Sequence, residues 1–279
     1  MKCWKVISCV VVVVAGCLNL ARLAVADEKA ALRSAAKNVK QIVAHRGSSA
    51  DRPECTLASL LRAIESGSTA TEVDVRTTKD GRLVILHDTT VDRTTGGKGR
   101  ISDLTFAEVR KLDAGSWFDA KYKNERIPTL REILETAKGK TGVLLDLKES
   151  GEEYAAKVIR EVRRYGEPKR IIVGVRSVEQ AKRFRKLLPE AKQLGLIPNP
   201  ESIEAFAAVK VKTIRLWPRW VAADESLVAR VRKVKCGLHI NGATGTREEV
   251  VPKLKYRPES TSSDDPARLV ATLRSLGRD

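Results

Sequence analysis

Histidine is nearly absent from this sequence, with three in 279 residues. Aromatic residues are scarce too, at 4% against 42% hydrophobic overall. Aliphatic side chains must therefore fill most of the core, and few rings remain to stack on nucleic-acid bases. Of the five cysteines, Cys3, Cys9 and Cys17 fall in a hydrophobic leader, which leaves Cys55 and Cys236. Two cysteines permit one disulfide but no disulfide framework, and no cysteine spacing suits a metal. No internal repeat and no low-complexity linker is evident.

The leader is the first thing present. Lys2 and Lys5 precede an apolar run from Val6 to Leu20, and Ala24-Val25-Ala26 before Asp27 forms an A-x-A-like cleavage site. This is the pattern of a signal peptide over residues 1–26, which makes the protein exported, periplasmic or secreted. Two rivals exist. An uncleaved anchor would need a longer run than Arg22 allows, and "VAGC" at Val14 to Cys17 resembles a bacterial lipobox. Setting aside Lys2, Lys5 and Arg22 of this acid-free leader takes the formal charge from +17 to +14. Such a balance suits phosphorylated substrates, anionic membrane or cell-wall surfaces, or nucleic acid. The scarcity of aromatics speaks against nucleic acid, and solvated helix faces would also account for the charge.

Beyond a linker at 27–40, short aliphatic runs alternate with helical segments. The runs are "QIVAHRG", "ATEVDVR", "LVILHD", "GVLLDLK", "RIIVGVR", "AKQLGLI", "TIRLWPR" and "KCGLHING". Each reads as a buried parallel strand. Capping-box spacing marks helix starts at Thr105, Thr129, Ser177 and Thr246. Eight such units over 41–279 point to a single-domain (β/α)8 TIM barrel, with a doubly wound sheet as the alternative. An extended loop at 88–128 interrupts the series, and its Gly96, Gly97 and Gly99 suggest mobility.

In a parallel barrel the chemistry sits at the C-terminal strand ends. There the first run ends in His45-Arg46 and the third in His87-Asp88. The second carries Glu72 and Asp74, and the fourth Asp146 and Lys148, each pair two residues apart and so on one face. Charges inside apolar strands are costly unless paired or metal-bound. Glu72, Asp74 and Asp146 make an oxygen-rich set suited to Ca²⁺ or Mg²⁺. A salt-bridge network with Arg46 and Lys148, or a glycosidase carboxylate pair, would leave His45 and His87 without roles. Two imidazoles beside a metal and cations suit phosphodiester cleavage, one activating the nucleophile and one protonating the leaving alcohol.

These residues resemble the glycerophosphodiester phosphodiesterases. "AHRG", "RPECTLASLLRAIESG", "TEVDVRTTKDGRLVILHD", "VDRTTGGKGRISDLTFAEV", "IPTLREIL", "LLDLK" and "SDDPARL" follow that family's order, over roughly 41 to 270. The resemblance implies a TIM barrel with a divalent metal. It implies His45 and His87 as the acid/base pair and Glu72, Asp74 and Asp146 as metal ligands. Arg46 and Lys148 would contact phosphate, and Glu54 matches a site-lining glutamate. The chain departs from the family pattern at Cys55 (usually Asn), at Asp146 (usually Glu), and in "LHIN" and "STSSDD". His239 and Asn241 of "LHIN" are candidate site-lining residues, as is Trp217, although packing explains His239 and Trp217 as readily. The implied function is metal-dependent hydrolysis of glycerophosphodiesters, as small-molecule or lipid-derived substrates, to an alcohol and glycerol phosphate. Lysophospholipids or cell-wall phosphodiesters are the rival substrates, and a non-catalytic polyanion-binding protein on the same fold is a rival of another class.

Overall fold

The computed structural model describes residues 26–278, so the leader and its alternative processing at Cys17 lie outside the described residues. Nine strands follow: β1 (Gln41–Ala44), β2 (Ala70–Thr77), β3 (Leu83–Ile85), β4 (Gly142–Leu147), β5 (Ile171–Val175), β6 (Lys192–Gly195), β7 (Thr213–Leu216), β8 (Gly237–Ile240) and β9 (Ser260–Ser263). Eight run parallel in the order β1-β9-β8-β7-β6-β5-β4-β2, and pairing of β1 with β2 closes the ring. Helices cover the outside: α1 (residues 26–38), α2 (Leu57–Glu65), α3 (Phe106–Val109), α4 (Leu130–Ala137), α5 (Glu152–Tyr165), α6 (Val178–Leu187), α7 (Ile203–Ala208), α8 (Pro218–Ala223), α9 (Ser226–Lys233), α10 (Arg247–Leu254) and α11 (Pro266–Arg278). The chain folds as a (β/α)8 barrel.

Period-two alternation explains how the strands are shared between two cores. One face of each strand, including Val73, Leu145, Val173, Ile214 and Leu238, packs on the helices in the main apolar cluster. The other face points into the barrel. Val43, Ala70, Leu144, Ile172, Leu194 and Leu196 form an apolar plug there. On the remaining strands the paired inward positions are polar: Arg215 on β7 registers with His239 on β8, and His239 with Ser260 on β9. Thr105, Thr129, Ser177 and Thr246 all cap helices through their side chains, as the spacing predicts.

Three expectations need correction. "LVILHD" is not the third barrel strand: β3 pairs antiparallel with β2 (Val75↔Ile85, Thr77↔Leu83) and leaves the ring as a hairpin arm. Its apolar residues serve two clusters: Leu83 and Ile85 pack in the main core, while Val84 and Leu86 pack in a smaller one with Val91, Ile101, Val109, Ala114 and Ile127. The 88–128 segment is thus folded around its own cluster, with α3 and a backbone bond from Val91 to Gly99 closing its glycine-rich turn. The eighth barrel position belongs instead to "STSS" of β9, which has no apolar residue to signal a strand. All four residues are buried. Their hydroxyls are satisfied locally, Thr261 donating to the Ile240 carbonyl at 2.8 Å and Ser263 to that of Ala243 at 2.6 Å, which removes the penalty for burying them. Finally, residues 27–40 are helical through 38 rather than a linker. Ala35 and Ala36 pack against Leu254, Leu269, Leu273 and Leu276 of α10 and α11.

Candidate active site

The first strand end is shaped by two left-handed residues. Arg46 has φ 55° and Gly47 φ 80°, and a Cβ on Gly47 would lie 2.4 Å from Ser59 Oγ, so only glycine fits. This turn aims the Arg46 amide at Glu72, donating to Oε2 at 2.8 Å. Glu72 and Asp74 follow on the inward face of β2. Asp146 of β4 is the register partner of Asp74. The three buried carboxylates offer oxygens that all lie within 4.8 Å of one another.

Such crowding must show in the protonation of the group. Burial pushes Glu72 up to about 8, and the charges of Asp74 and Asp146 add to it. Burial would raise Asp146 as well, but Lys148 and Arg176 outweigh it and hold the carboxyl below its ordinary value. Lys148 Nζ sits 2.7 Å from both Asp74 and Asp146. Arg176 clamps Asp146 with contacts of 2.6 and 2.7 Å from Nη2 and 3.1 Å from Nε. Among the described residues, no side-chain salt bridge reaches Glu72. Three buried carboxylates converging on one point, with Glu72 left without a cationic partner and no thiolate or imidazole in the set, fit a hard divalent cation bound through oxygen.

Both histidines are held by an aspartate. His45 Nδ1 lies 2.6 Å from Asp264 Oδ1, and His87 Nδ1 lies 2.8 Å from Asp88 Oδ1. A carboxylate on Nδ1 favours its protonated form, leaving Nε2 as the nitrogen for a substrate. Burial alone would lower the His45 pKa, but the Asp264 bond, with Glu72 and the Asp264 charge, raises it above the ordinary value. Arg93 joins the two halves of the site. It donates to both oxygens of Glu54 (3.0 and 2.7 Å) and from Nε to Asp88 at 2.7 Å. Glu54 in turn accepts from Arg46 at 3.1 Å. The hairpin arm that bears His87 is thereby tied to the turn after β1.

His45, Arg46, Glu72, Asp74, His87, Asp146, Lys148, Trp217, His239 and Asn241 all line one cavity of about 420 Å³ at the C-terminal barrel mouth, and Glu54 supports it through Arg46 without lining it. His239 is fully buried, bonded to Ser260 Oγ at 2.7 Å. Burial, with Arg215 and His45 nearby, pulls it down to about 3, so it stays neutral. Asn241 donates to Ser262 at 3.2 Å. Cys55 and Cys236 are buried and unpaired, so they form no disulfide. Sequence reasoning missed Asp264, Arg176, Arg215 and Arg93. Arg176 and Arg215 were findable, since each occupies an inward position by the alternation that exposed Asp146 and Lys148. Asp264 and Arg93 fall within family-like segments, but Asp264 follows a strand with no apolar signal and Arg93 lies in irregular chain with no periodicity to single it out.

Residues 45–242 match the model of the Glycerophosphoryl diester phosphodiesterase family. A glycerophosphodiester phosphodiesterase of Caldanaerobacter subterraneus subsp. tengcongensis is 34% identical over 242 residues, covering 85% of this chain and 98% of that protein. Among solved structures, an Oleispira antarctica phosphodiesterase in complex with the product sn-glycerol-3-phosphate superposes with a TM-score of 0.75 at 27% identity, over 86% of this chain and 99% of that one. A glycerophosphodiester phosphodiesterase from Agrobacterium tumefaciens gives a TM-score of 0.71 at 27% identity, over 84% of this chain and 100% of that one.

Proposed function

Because this chain belongs to the glycerophosphoryl diester phosphodiesterase family, we propose that it hydrolyses glycerophosphodiesters to an alcohol and glycerol phosphate by acid/base transfer between two imidazoles. The observation that carries this reading is the pair of carboxylate-held histidines, His45 with Asp264 and His87 with Asp88, on one cavity. Nε2 of one takes the proton of the nucleophile as its oxygen bonds phosphorus. Nε2 of the other gives a proton to the departing alcohol oxygen as the P–O bond breaks. Arg46 and Lys148 hold the anionic phosphoryl oxygens, with Lys148 restrained by Asp74 and Asp146. Glu72, Asp74 and Asp146 would hold a divalent cation, Ca²⁺ or Mg²⁺, which when bound would supply Lewis-acid polarisation of a phosphoryl oxygen. His239 is too firmly neutral to share the proton work, and it positions the β8–β9 wall through Ser260.

Assay of the purified protein on glycerophosphodiesters, with and without a chelator, tests this. Turnover should vanish on exhaustive chelation and return with Ca²⁺ or Mg²⁺. Full turnover without metal defeats the cation site, and no turnover on any glycerophosphodiester defeats the function. The Lys2–Leu20 pattern and "AVAD" support export with a mature start near Asp27. N-terminal sequencing decides between that start, a lipid-modified Cys17 and an intact Met1. The charge of +14 on the remaining chain supports attraction to anionic membrane or cell-wall surfaces, to be read as vesicle binding that weakens with salt.

A further inference from the structure

The cations of the cavity differ in how they are compensated. Arg46 bonds Glu54, Lys148 bridges Asp74 and Asp146, and Arg176 clamps Asp146. Arg215 has no such partner: among the described residues its side chain makes no salt bridge, and its Nε is buried without a hydrogen bond. Its guanidinium lies over the Trp217 ring, 4.1 Å from the centroid, and Arg219 approaches the same ring at 5.4 Å. Burial, together with Arg176 and Arg219, pulls Arg215 down to about 10, while Asp146 and Glu72 pull the other way. It therefore remains a cation at neutral pH. A half-buried cation with no carboxylate in salt-bridge reach among the described residues is costly unless a ligand completes it.

Its place in the ring says what that ligand is. In the order β1-β9-β8-β7-β6-β5-β4-β2, β7 stands opposite β2. Arg215 thus faces Glu72 and Asp74 across the barrel mouth. Under the reading above, the reacting phosphorus lies on the β1–β2–β4 side, beside the carboxylates, Arg46 and Lys148. The glycerol half of the diester bears only neutral hydroxyls. A further negative charge at Arg215 can come only from the alcohol half.

We propose that Arg215, stacked on Trp217, anchors a second anion subsite that selects glycerophosphodiesters whose alcohol carries an additional phosphate or carboxylate. This rests on the proposed hydrolysis, and it sets the substrate class within it. The stack fixes the guanidinium plane and leaves its N–H groups directed at a ligand.

Two substrate pairs isolate the charge. Glycerophosphoinositol 4-phosphate and glycerophosphoinositol differ by one phosphate, and glycerophosphoserine and glycerophosphoethanolamine by one carboxylate. The wild type should show a kcat/KM ratio of about 10 to 100 in favour of the anionic member of at least one pair. Which pair responds identifies phosphate or carboxylate as the ligand. In Arg215→Met, which keeps an apolar stem on Trp217, that ratio should fall toward one, and Arg215→Lys should restore part of it. A wild-type ratio near one in both pairs overturns the subsite, as does a ratio that survives in Arg215→Met. Calorimetric titration of inositol 4-phosphate and of serine into both proteins gives an answer independent of turnover. Weaker binding of at least one of them by Arg215→Met than by the wild type supports the subsite even if no diester is cleaved, an outcome that would sink the hydrolysis alone. Equal affinity of the two proteins for both ligands overturns the subsite.

Discussion

Asp264 holds the imidazole of His45 in place and, with Glu72, outweighs the burial that would otherwise lower its pKa. Its removal therefore has a signed effect. In Asp264→Asn the raising contribution is gone, so His45 should titrate at lower pH. The limb of the kcat/KM–pH profile that His45 governs should move toward acid, while melting curves stay close to wild type. A limb that does not move rules out Asp264 as the positioning group. The imidazoles themselves are tested by His45→Asn and His87→Asn, each expected to lower kcat by about 10²–10⁴ with the fold retained. On a diester with an activated leaving group, the variant lacking the general acid should recover much of its rate, and the one lacking the base should not. Near-normal turnover in either variant defeats the mechanism. At this scale the sequence was informative wherever alternation could be counted. Glu72 with Asp74, and Asp146 with Lys148, announce a shared face. Asp264 does not, because its pairing with His45 spans 219 residues.

Single elements show where pattern and fold part. Four helices begin where a Ser or Thr cap stands three residues before a Glu or Gln, since that signal is local and the backbone N–H groups it satisfies are local too. Strands carry no comparable signal. β3 has the apolar run and leaves the barrel, and β9 lacks it and closes the barrel, because burial by hydroxyl bonding is invisible to a hydrophobicity count. The turn after β8 offers a test of one such element. Glu249 of α10 accepts from the amides of Ala243, Thr244 and Gly245 at 2.7 to 2.9 Å and from Lys253 at 2.6 Å. Burial would raise its pKa, but Lys253, the Thr244 hydroxyl and the Ala243 amide pull it down to about 2. A depressed carboxylate stabilises the fold above its unfolded value, about 4.3, and that contribution is lost as pH falls toward 2. Glu249→Gln should cost about 1–3 kcal/mol at pH 7. The gap from wild type in urea melts should shrink as pH falls from about 4 to 2, and a pH-independent gap would refute the assignment.

On the scale of the whole molecule, the barrel and its catalytic end were legible, and α1 and β9 were not. Eight aliphatic runs led to the right architecture through two compensating misassignments, the inclusion of β3 and the omission of β9. The count held because the fold has eight barrel strands, and the register did not. Residues 27–40 gave no signal because α1 buries little more than alanines, with Ala36 only 5% exposed. If α1 is part of the folded unit, Ala36→Asp buries an unpaired charge against α10 and α11. The cost, about 2–3 kcal/mol, corresponds to a fall of about 4–12 °C in Tm for a chain of this size. An unchanged Tm would return the segment to the status of a linker.

The hairpin arm has a further consequence. His45 sits on the ring, and His87 sits on a limb that shares Leu83 and Ile85 with the main core but packs its remaining apolar residues in a second cluster, fastened to the β1 turn by the Arg93 contacts with Glu54 and Asp88. If that limb can open without the barrel, the two imidazoles sit on parts of the chain with different opening free energies. In native-state hydrogen exchange, the amides of Val91, Ile101 and Ala114, each bonded within the limb, should open together at a lower free energy than those of β2 and β4. Arg93→Gln should lower the opening energy of the limb and turnover in step, leaving global unfolding where it was. The enzyme would then be silenced by undocking, with every catalytic side chain present and the barrel intact.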